Sequence, residues 1–171
     1  MQCPLSKICK LIEPATSQLQ SISLLGLRLM LAYSFYEPAM MKLKDIASIA
    51  IWFESMGIPF ATLNAYMATG TEVAGVVLLT LGLFTRLISI PLIGVMIVAI
   101  ITVHGVNGFA MIQAGSEVVN PWVNGSEVEG TLVVLQNGYE MPLYYILMLL
   151  MLVAHGGGKL SLDNLLFRKK D

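Results

Sequence analysis

Apolar residues run along this chain in four long blocks, about Ile22 to Met41, Asn64 to Leu83, Leu87 to Val103 and Met141 to His155. Each approaches the ~20 residues with which a helix crosses ~30 Å of hydrocarbon. None shows the two-residue alternation of a barrel strand, and helices or closed barrels are the only spanning options. The pattern predicts an all-α integral membrane protein, a bundle of four transmembrane helices. Between the first two blocks, residues 45 to 56, DIASIAIWFESM, set Ile46, Ile49, Ala50 and Phe53 at helical spacing before the Gly57-Ile58-Pro59 break. That reads as a short interfacial helix, too short to cross. The connection over residues 104–140 is long, polar and glycine-rich. Its TLVVL run, followed by Gln136-Asn137-Gly138, predicts a strand entering a turn in a small outer hairpin cap.

Composition strengthens the membrane reading. Hydrophobic residues make up 56% and charged residues 12% of the chain, with mean hydropathy +0.76, whereas soluble domains carry roughly 25% charged residues. Orientation follows from the basic residues. Lys7, Lys10, Arg86, Lys159, Arg168, Lys169 and Lys170 fall on one side, and only Lys42 and Lys44 on the other, while Arg28 lies inside the first block. The positive-inside rule then places both termini and the Arg86 turn in the cytoplasm of a multi-pass protein of the bacterial inner (plasma) membrane. The chain divides into a cytoplasmic tail (1–20), a transmembrane domain (21–158, with the outer loop 104–140) and a second cytoplasmic tail (159–171). The first block ends in Tyr36-Glu37-Pro38 without a small-residue cleavage site, so it is expected to be a retained helix and not a signal peptide.

Several chemistries find no residues to perform them. Cys3 and Cys9 fall on the reducing side and lack zinc spacing, so two ordinary thiols are expected. His104 and His155 sit at opposite ends of their helices, and no covalent haem is expected. A net charge of −1 leaves no basic surface for nucleic acid. Asn124-Gly125-Ser126 matches a glycosylation acceptor, a triplet too common to carry weight. No metal-ligand cluster is legible, and any metal is unknown.

EPAMMKLKDIASIAIWFESMGIPF, NAYMATGTEVAGVVLLTLGLFTRL, VHGVNGF and a closing HGGGKLSLDNLL resemble the DoxX family of four-helix bacterial inner-membrane proteins. The resemblance covers about Gly26 to Leu166 and is strongest to the branch with a long polar third connection, which is associated with small modified metal-binding peptides. It implies a membrane subunit of an oxidoreductase complex linked to redox stress, binding a quinone or similar apolar carrier and working with soluble redox partners. It equally allows a non-catalytic anchor or assembly component for soluble biosynthetic partners, in metal-binding peptide biosynthesis or export. A homo-oligomer is compatible with either, and catalysis by the chain alone stays open.

Ionisable residues inside hydrocarbon are costly and mark function by default. Counting 1.5 Å per residue sets Glu72 roughly 12 Å and Glu37 roughly 8 Å below the outer boundary, and Arg28 roughly 9 Å above the inner one. Arg28 and Glu37 are nine residues apart and point to opposite sides of one helix. Depth favours Glu37, and His104 can join from the third block. The expectation is an outer-leaflet cluster of Glu37, Glu72 and His104, extended by Glu140 and suited to proton exchange or a weakly held cation. Leu24, Leu31, Ala32, Phe35 and Ala39 accompany Arg28, and that side is expected to meet lipid. The competing expectation is a structural ion pair between Arg28 and Glu72. Twelve of the aromatic residues belong to the outer half, which predicts a pocket walled by Tyr33, Tyr36, Trp52 and Tyr144.

Overall fold

The computed structural model describes residues 6–115, 132–135 and 137–167, with side chains described for residues 18–111 and 137–167. Cys3, the side chain of Cys9, the Asn124-Gly125-Ser126 triplet and the basic run Arg168-Lys169-Lys170 lie outside the described residues.

Helix α1 (Ser6–Lys44, 39 residues) runs without interruption through residue 20 into the first apolar block. Short α2 (Ile46–Ser55) is launched by Asp45, whose carboxylate accepts from the Ser48 amide at 3.1 Å and the Ser48 hydroxyl at 2.6 Å. A side-chain oxygen that takes an orphan amide is what starts a helix cleanly. Ala50 and Phe53 of α2 are buried, with Ile46 and Ile49 beside them, against Ala65 of the next helix. Helix α3 (Ala61–Leu81) turns tightly through Gly82 into α4 (Thr85–Ala99). A single π-helical turn (Ile100–His104) and a 3-10 turn (Gly105–Asn107) extend α4. Thr85–Asn107 is thereby 23 residues long with hydropathy 2.5, and among the described residues it is the stretch both long and apolar enough to cross a membrane.

Strand β1 (Ile112–Gly115) pairs antiparallel with β2 (Leu132–Leu135), Ile112 opposite Leu135. The Leu132–Leu135 part of the expected strand thus pairs backward with β1 and not forward across Asn137-Gly138. Helix α5 (Glu140–His155) and six-residue α6 (Leu162–Phe167) complete the chain. Helix α1 packs on α3 and, less extensively, on α5, while α4 packs on α5 and α3. Leu31, Phe35, Leu79, Leu92, Leu149 and Leu152 fill the shared core, and the Phe35 ring leans on Tyr145 with centroids 5.7 Å apart.

The surface is more apolar than the interior in one telling respect. Leu87, Ile101, Leu63, Met67, Val77 and Leu147 are all exposed, whereas Arg28, Glu72, Thr69, Thr85 and Ser89 are buried. Large contiguous apolar surface needs an apolar neighbour, and lipid supplies one to every exposed helix face at once.

Gly75 illustrates how closely α3 and α4 approach. A Cβ at this position would stand 2.9 Å from Leu92 Cδ1, and small residues are what let membrane helices come together. Gly75→Leu is expected to lose about 1–3 kcal/mol or more through overpacking. Val77→Leu, on an exposed position, is expected to be neutral. Thermal midpoints of the two purified variants in one detergent check this, and equal midpoints would contradict it.

Candidate functional site: two buried charged centres

The buried stripe of α1 runs Ser21, Leu24, Arg28, Leu31, Ala32, Phe35 and Ala39, a spacing of threes and fours that keeps one face inward. This reverses the expected facing of the helix. The side bearing Arg28 is the protein core, and the Glu37 side, with Tyr33 82% exposed, points outward. Both sides of such a helix are apolar, because lipid and protein interior select the same residue types, so hydrophobicity alone does not distinguish them.

Lys42 lies fourteen residues beyond Arg28, about 40° short of four full turns, and therefore belongs to the buried face roughly 21 Å further along the axis. Its Nζ pairs with Oε1 of Glu72, which α3 presents on its own buried stripe of Ala65, Thr69, Glu72, Gly75 and Leu79. The lysine side chain is 16% exposed and the glutamate 2%, so the pair reaches outward only through the lysine. Ala39 and Ala65, both fully buried, leave room for the two helices to bring it together. The Glu72 Oε2 and the Thr69 hydroxyl, one turn apart on α3, are buried with no hydrogen-bond partner among the described residues, as are Arg28 Nε and Nη1 and the Thr85 hydroxyl.

Neither expected partner of Glu72 reaches it. Glu37 is on the outward side of α1, and His104 is tied elsewhere, its Nδ1 2.8 Å from the Asn137 carbonyl oxygen. Glu140 accepts from the Met111 amide at 3.1 Å and from the Tyr144 hydroxyl at 2.7 Å. These four residues do not form one cluster. His104 and Glu140 instead fasten the base of the hairpin to the start of α5, where the Asn107 amide also donates to the Asn137 carbonyl at 3.2 Å. Nor do the expected aromatic walls converge. Tyr33 and Tyr36 are exposed, the Trp52 ring lies against Phe53 of its own helix at 5.7 Å, and Tyr144 is bound to Glu140.

The Met111 amide, and after it the Tyr144 hydroxyl, stabilise the charged form of Glu140 and hold its carboxyl below the ordinary value of 4.5. A carboxylate with a depressed folded pKa contributes stability above its unfolded pKa and loses it as pH falls through the folded one. Protection of the Met111 amide, taken relative to its intrinsic exchange rate at each pH, is therefore expected to fall below pH 4.5 in the wild type, and to be low at all pH values in Glu140→Ala. Protection that does not change with pH in the wild type would contradict the assignment.

The second centre is at the opposite end. Arg28, 1% exposed, donates from Nη2 to the Leu160 carbonyl at 2.7 Å, and the acid acting on it is Asp163. The structural ion pair between Arg28 and Glu72 is thus not formed, because the two lie at different depths. Asp163 accepts from the Phe84 amide at 2.6 Å and the Thr85 amide at 2.9 Å, capping α4, while its own amide donates to the Gly82 carbonyl at 2.9 Å. That cap supports Phe84, which holds φ of 49°, a left-handed conformation that costs a non-glycine residue ~1 kcal/mol. The HGGGKLSLDNLL run supplies these partners. Gly156 and Gly158 have φ of 73° and 77°, and a Cβ on Gly157 would meet the Ser161 side chain at 2.7 Å and Thr85 Oγ1 at 2.8 Å. The motif is a lock joining α1, the α3–α4 turn and α5.

The DoxX family model matches residues 23–105, which contain Arg28, Lys42, Glu72 and Gly82. A Haemophilus influenzae protein described only as uncharacterized is 31% identical over 149 residues, covering 85% of this chain and 83% of that protein. The chain belongs to the DoxX family. DoxX proteins are membrane-associated, and together with the apolar stretch Thr85–Asn107 this makes the chain a membrane protein in a bilayer context. No solved structure matches it. Among the described residues no group of three or more His, Cys, Asp or Glu side chains could hold a metal ion.

Proposed function

We propose that the chain is a four-span inner-membrane subunit of a redox system, in which the Lys42–Glu72 pair exchanges protons at the outer half of the bundle. The observation that carries this reading is the Lys42–Glu72 pair itself, with the glutamate side chain 2% exposed and the lysine 16% exposed. An ionisable residue buried in a membrane bundle is costly and marks function by default. Lysine and glutamate in contact can pass a proton between them, and the partly exposed Lys42 gives the route outward. The exposed Tyr33 and Tyr36 suit lateral approach of a flat apolar carrier such as a quinone from lipid. Reduction of a quinone takes up two protons with two electrons. The chain supplies the proton route, and a soluble redox partner supplies the electrons.

In a deletion strain challenged with oxidant, wild type is expected to restore growth and Glu72→Gln is not, at equal membrane levels. Quinone is expected in solvent extracts of the purified wild type. Full restoration by Glu72→Gln would remove the proton role. A second reading is favoured by the aromatic residues that do not converge: a non-catalytic anchor or assembly component for soluble partners, including those of metal-binding peptide biosynthesis. Restoration by Glu72→Gln, with a partner protein lost from the membrane on deletion, would select it.

The orientation has its own test. With Cys3 and Cys9 replaced by serine, Glu54→Cys is expected to react with an impermeant thiol reagent in intact cells, and Leu166→Cys only after lysis. The reverse pattern would invert the topology.

A further inference from the structure

The face of α1 turned away from the core carries Gly26, Met30, Tyr33, Glu37, Met41 and Lys44, all exposed. Their spacings of three and four keep them on one strip, opposite Arg28, Phe35 and Lys42. Most of the strip is apolar and suits lipid. Glu37 does not. It stands five residues, about 7.5 Å, nearer the start of α1 than Lys42, whose ammonium meets Glu72. Glu72 is itself eleven residues, about 16 Å, along α3 from Ala61. The buried pair and the outward carboxyl are therefore at similar depth, within the hydrocarbon of a spanning bundle.

Ionisable residues at such depth almost always face protein or water. Among the described residues Glu37 has no hydrogen bond or ion pair. On α5, by contrast, Glu140 accepts from the Tyr144 hydroxyl at 2.7 Å, because helical side chains lean toward the N-terminus and a tyrosine four residues on leans back over the carboxylate. Four residues after Glu37 stands Met41, which has no donor, and Tyr33 leans the other way. A partner for this carboxyl has to come from outside the chain.

A strip of threes and fours fits another helix lengthwise. Gly26 leaves it open. A Cβ there meets nothing within 4 Å, so this glycine serves no packing within the chain, while a small residue on the outside lets a second helix approach closely. A second copy matches the strip best. Two-fold pairing sets the same patch of both copies together, and when the axis is normal to the membrane each residue meets its counterpart at equal depth. Lys44, seven residues or about 10 Å further along α1, is too far off to serve Glu37.

We propose that the chain forms a two-fold dimer in the membrane through this strip, the two Glu37 carboxyls sharing one proton in a hydrogen bond at the axis and Gly26 admitting the second α1. Hydrogen bonds between helices hold membrane helices together in this way. The assignment rests on the spanning placement of the proposed function and not on its proton role, since Lys42 and Glu72 stay on the other side of α1. Tyr33 is covered in the dimer. A carrier approaching from lipid is then left the Tyr36 flank, about 100° round the helix from Glu37.

With Cys3 and Cys9 replaced by serine, Met30→Cys is expected to give a disulfide-linked product of twice the chain's mass when native membranes are mildly oxidised. Gly94→Cys, exposed on α4, is expected to give none. The purified full chain is expected to be dimeric by native mass spectrometry in a mild neutral detergent. Glu37→Leu is expected to weaken the dimer about tenfold, and Glu37→Gln, which still donates and accepts, to retain it. Gly26→Leu is expected to yield folded monomer, and Gly94→Leu, at a position where a Cβ also meets nothing within 4 Å, to leave the dimer intact. Neither glycine packs within the chain, so both variants keep the fold. Monomer alone in membranes and detergent, equal cross-linking of Met30→Cys and Gly94→Cys, or an unchanged dimer in Gly26→Leu would overturn the proposal. So would a cross-linked product of another mass without the dimer, which would give the strip to a different protein. Failure of the spanning placement shows separately, as Glu54→Cys and Leu166→Cys labelled alike in intact cells.

Discussion

Gly82→Ala should abolish most of the folded protein. Gly82 has φ of 67°, and a Cβ there would collide with the Arg28 guanidinium and stand 2.8 Å from the Ser161 side chain. The left-handed backbone alone costs a residue with a Cβ about 1 kcal/mol. Displacing the arginine costs more. Arg28 is 1% exposed, and moving it forfeits the Leu160 carbonyl and separates it from Asp163. Stranding a buried charge costs about 3–5 kcal/mol, a large part of the ~5–15 kcal/mol that holds an ordinary domain folded. Monodisperse yield in detergent should fall sharply for Gly82→Ala and stay near wild type for Gly70→Ala, where a Cβ meets nothing within 4 Å. Arg28→Met combined with Gly82→Ala should be less damaging than Gly82→Ala alone, since the stranded charge is gone. That non-additivity is the signature of direct contact. An unchanged thermal midpoint for Gly82→Ala would refute the lock.

The helices themselves are legible in sequence because their lengths and breaks are written in residue types that act locally. The apolar blocks fall on α1, α3, α4 and α5, and Ile46, Ile49, Ala50 and Phe53 mark α2 by their spacing. What hydropathy does not carry is the direction in which a uniformly apolar helix faces. Leu24, Leu31 and Phe35 look equally at home against lipid and against Leu79 or Leu152. The informative residues are the small and charged ones: Ala39, Arg28 and Lys42 share one face, and buried charge can persist only where protein partners meet it. Lys42 does not stand out as a partner because the apolar run stops at Met41, whereas the helix runs on to Lys44. Hydrogen bonding, unlike hydropathy, does not end where the lipid does. Asp163 and Leu160 are hidden for another reason. Their contacts span residues far apart in sequence, and nothing local in KLSLDNLL tells which carbonyl will meet Arg28.

The Lys42–Glu72 pair permits an experiment in which stability and function separate. Lys42→Met leaves Glu72, with its side chain 2% exposed, as an unpaired carboxylate in the bundle. The expected loss is about 3–5 kcal/mol, seen as low yield or a lowered midpoint. Removing both charges together, Lys42→Met with Glu72→Leu, takes away the desolvation cost as well as the attraction. Replacements of buried pairs by apolar residues are commonly neutral or stabilising, by about 1–4 kcal/mol. The double variant should therefore regain wild-type yield. If the pair serves proton exchange, that well-folded protein should still fail to restore growth of the deletion strain under oxidant. The two outcomes diverge cleanly, because the single variant is impaired on either view while the double variant is impaired only if the charges act. A double variant that is both stable and fully active would assign Lys42 and Glu72 to architecture and leave the bundle as a scaffold for its partners.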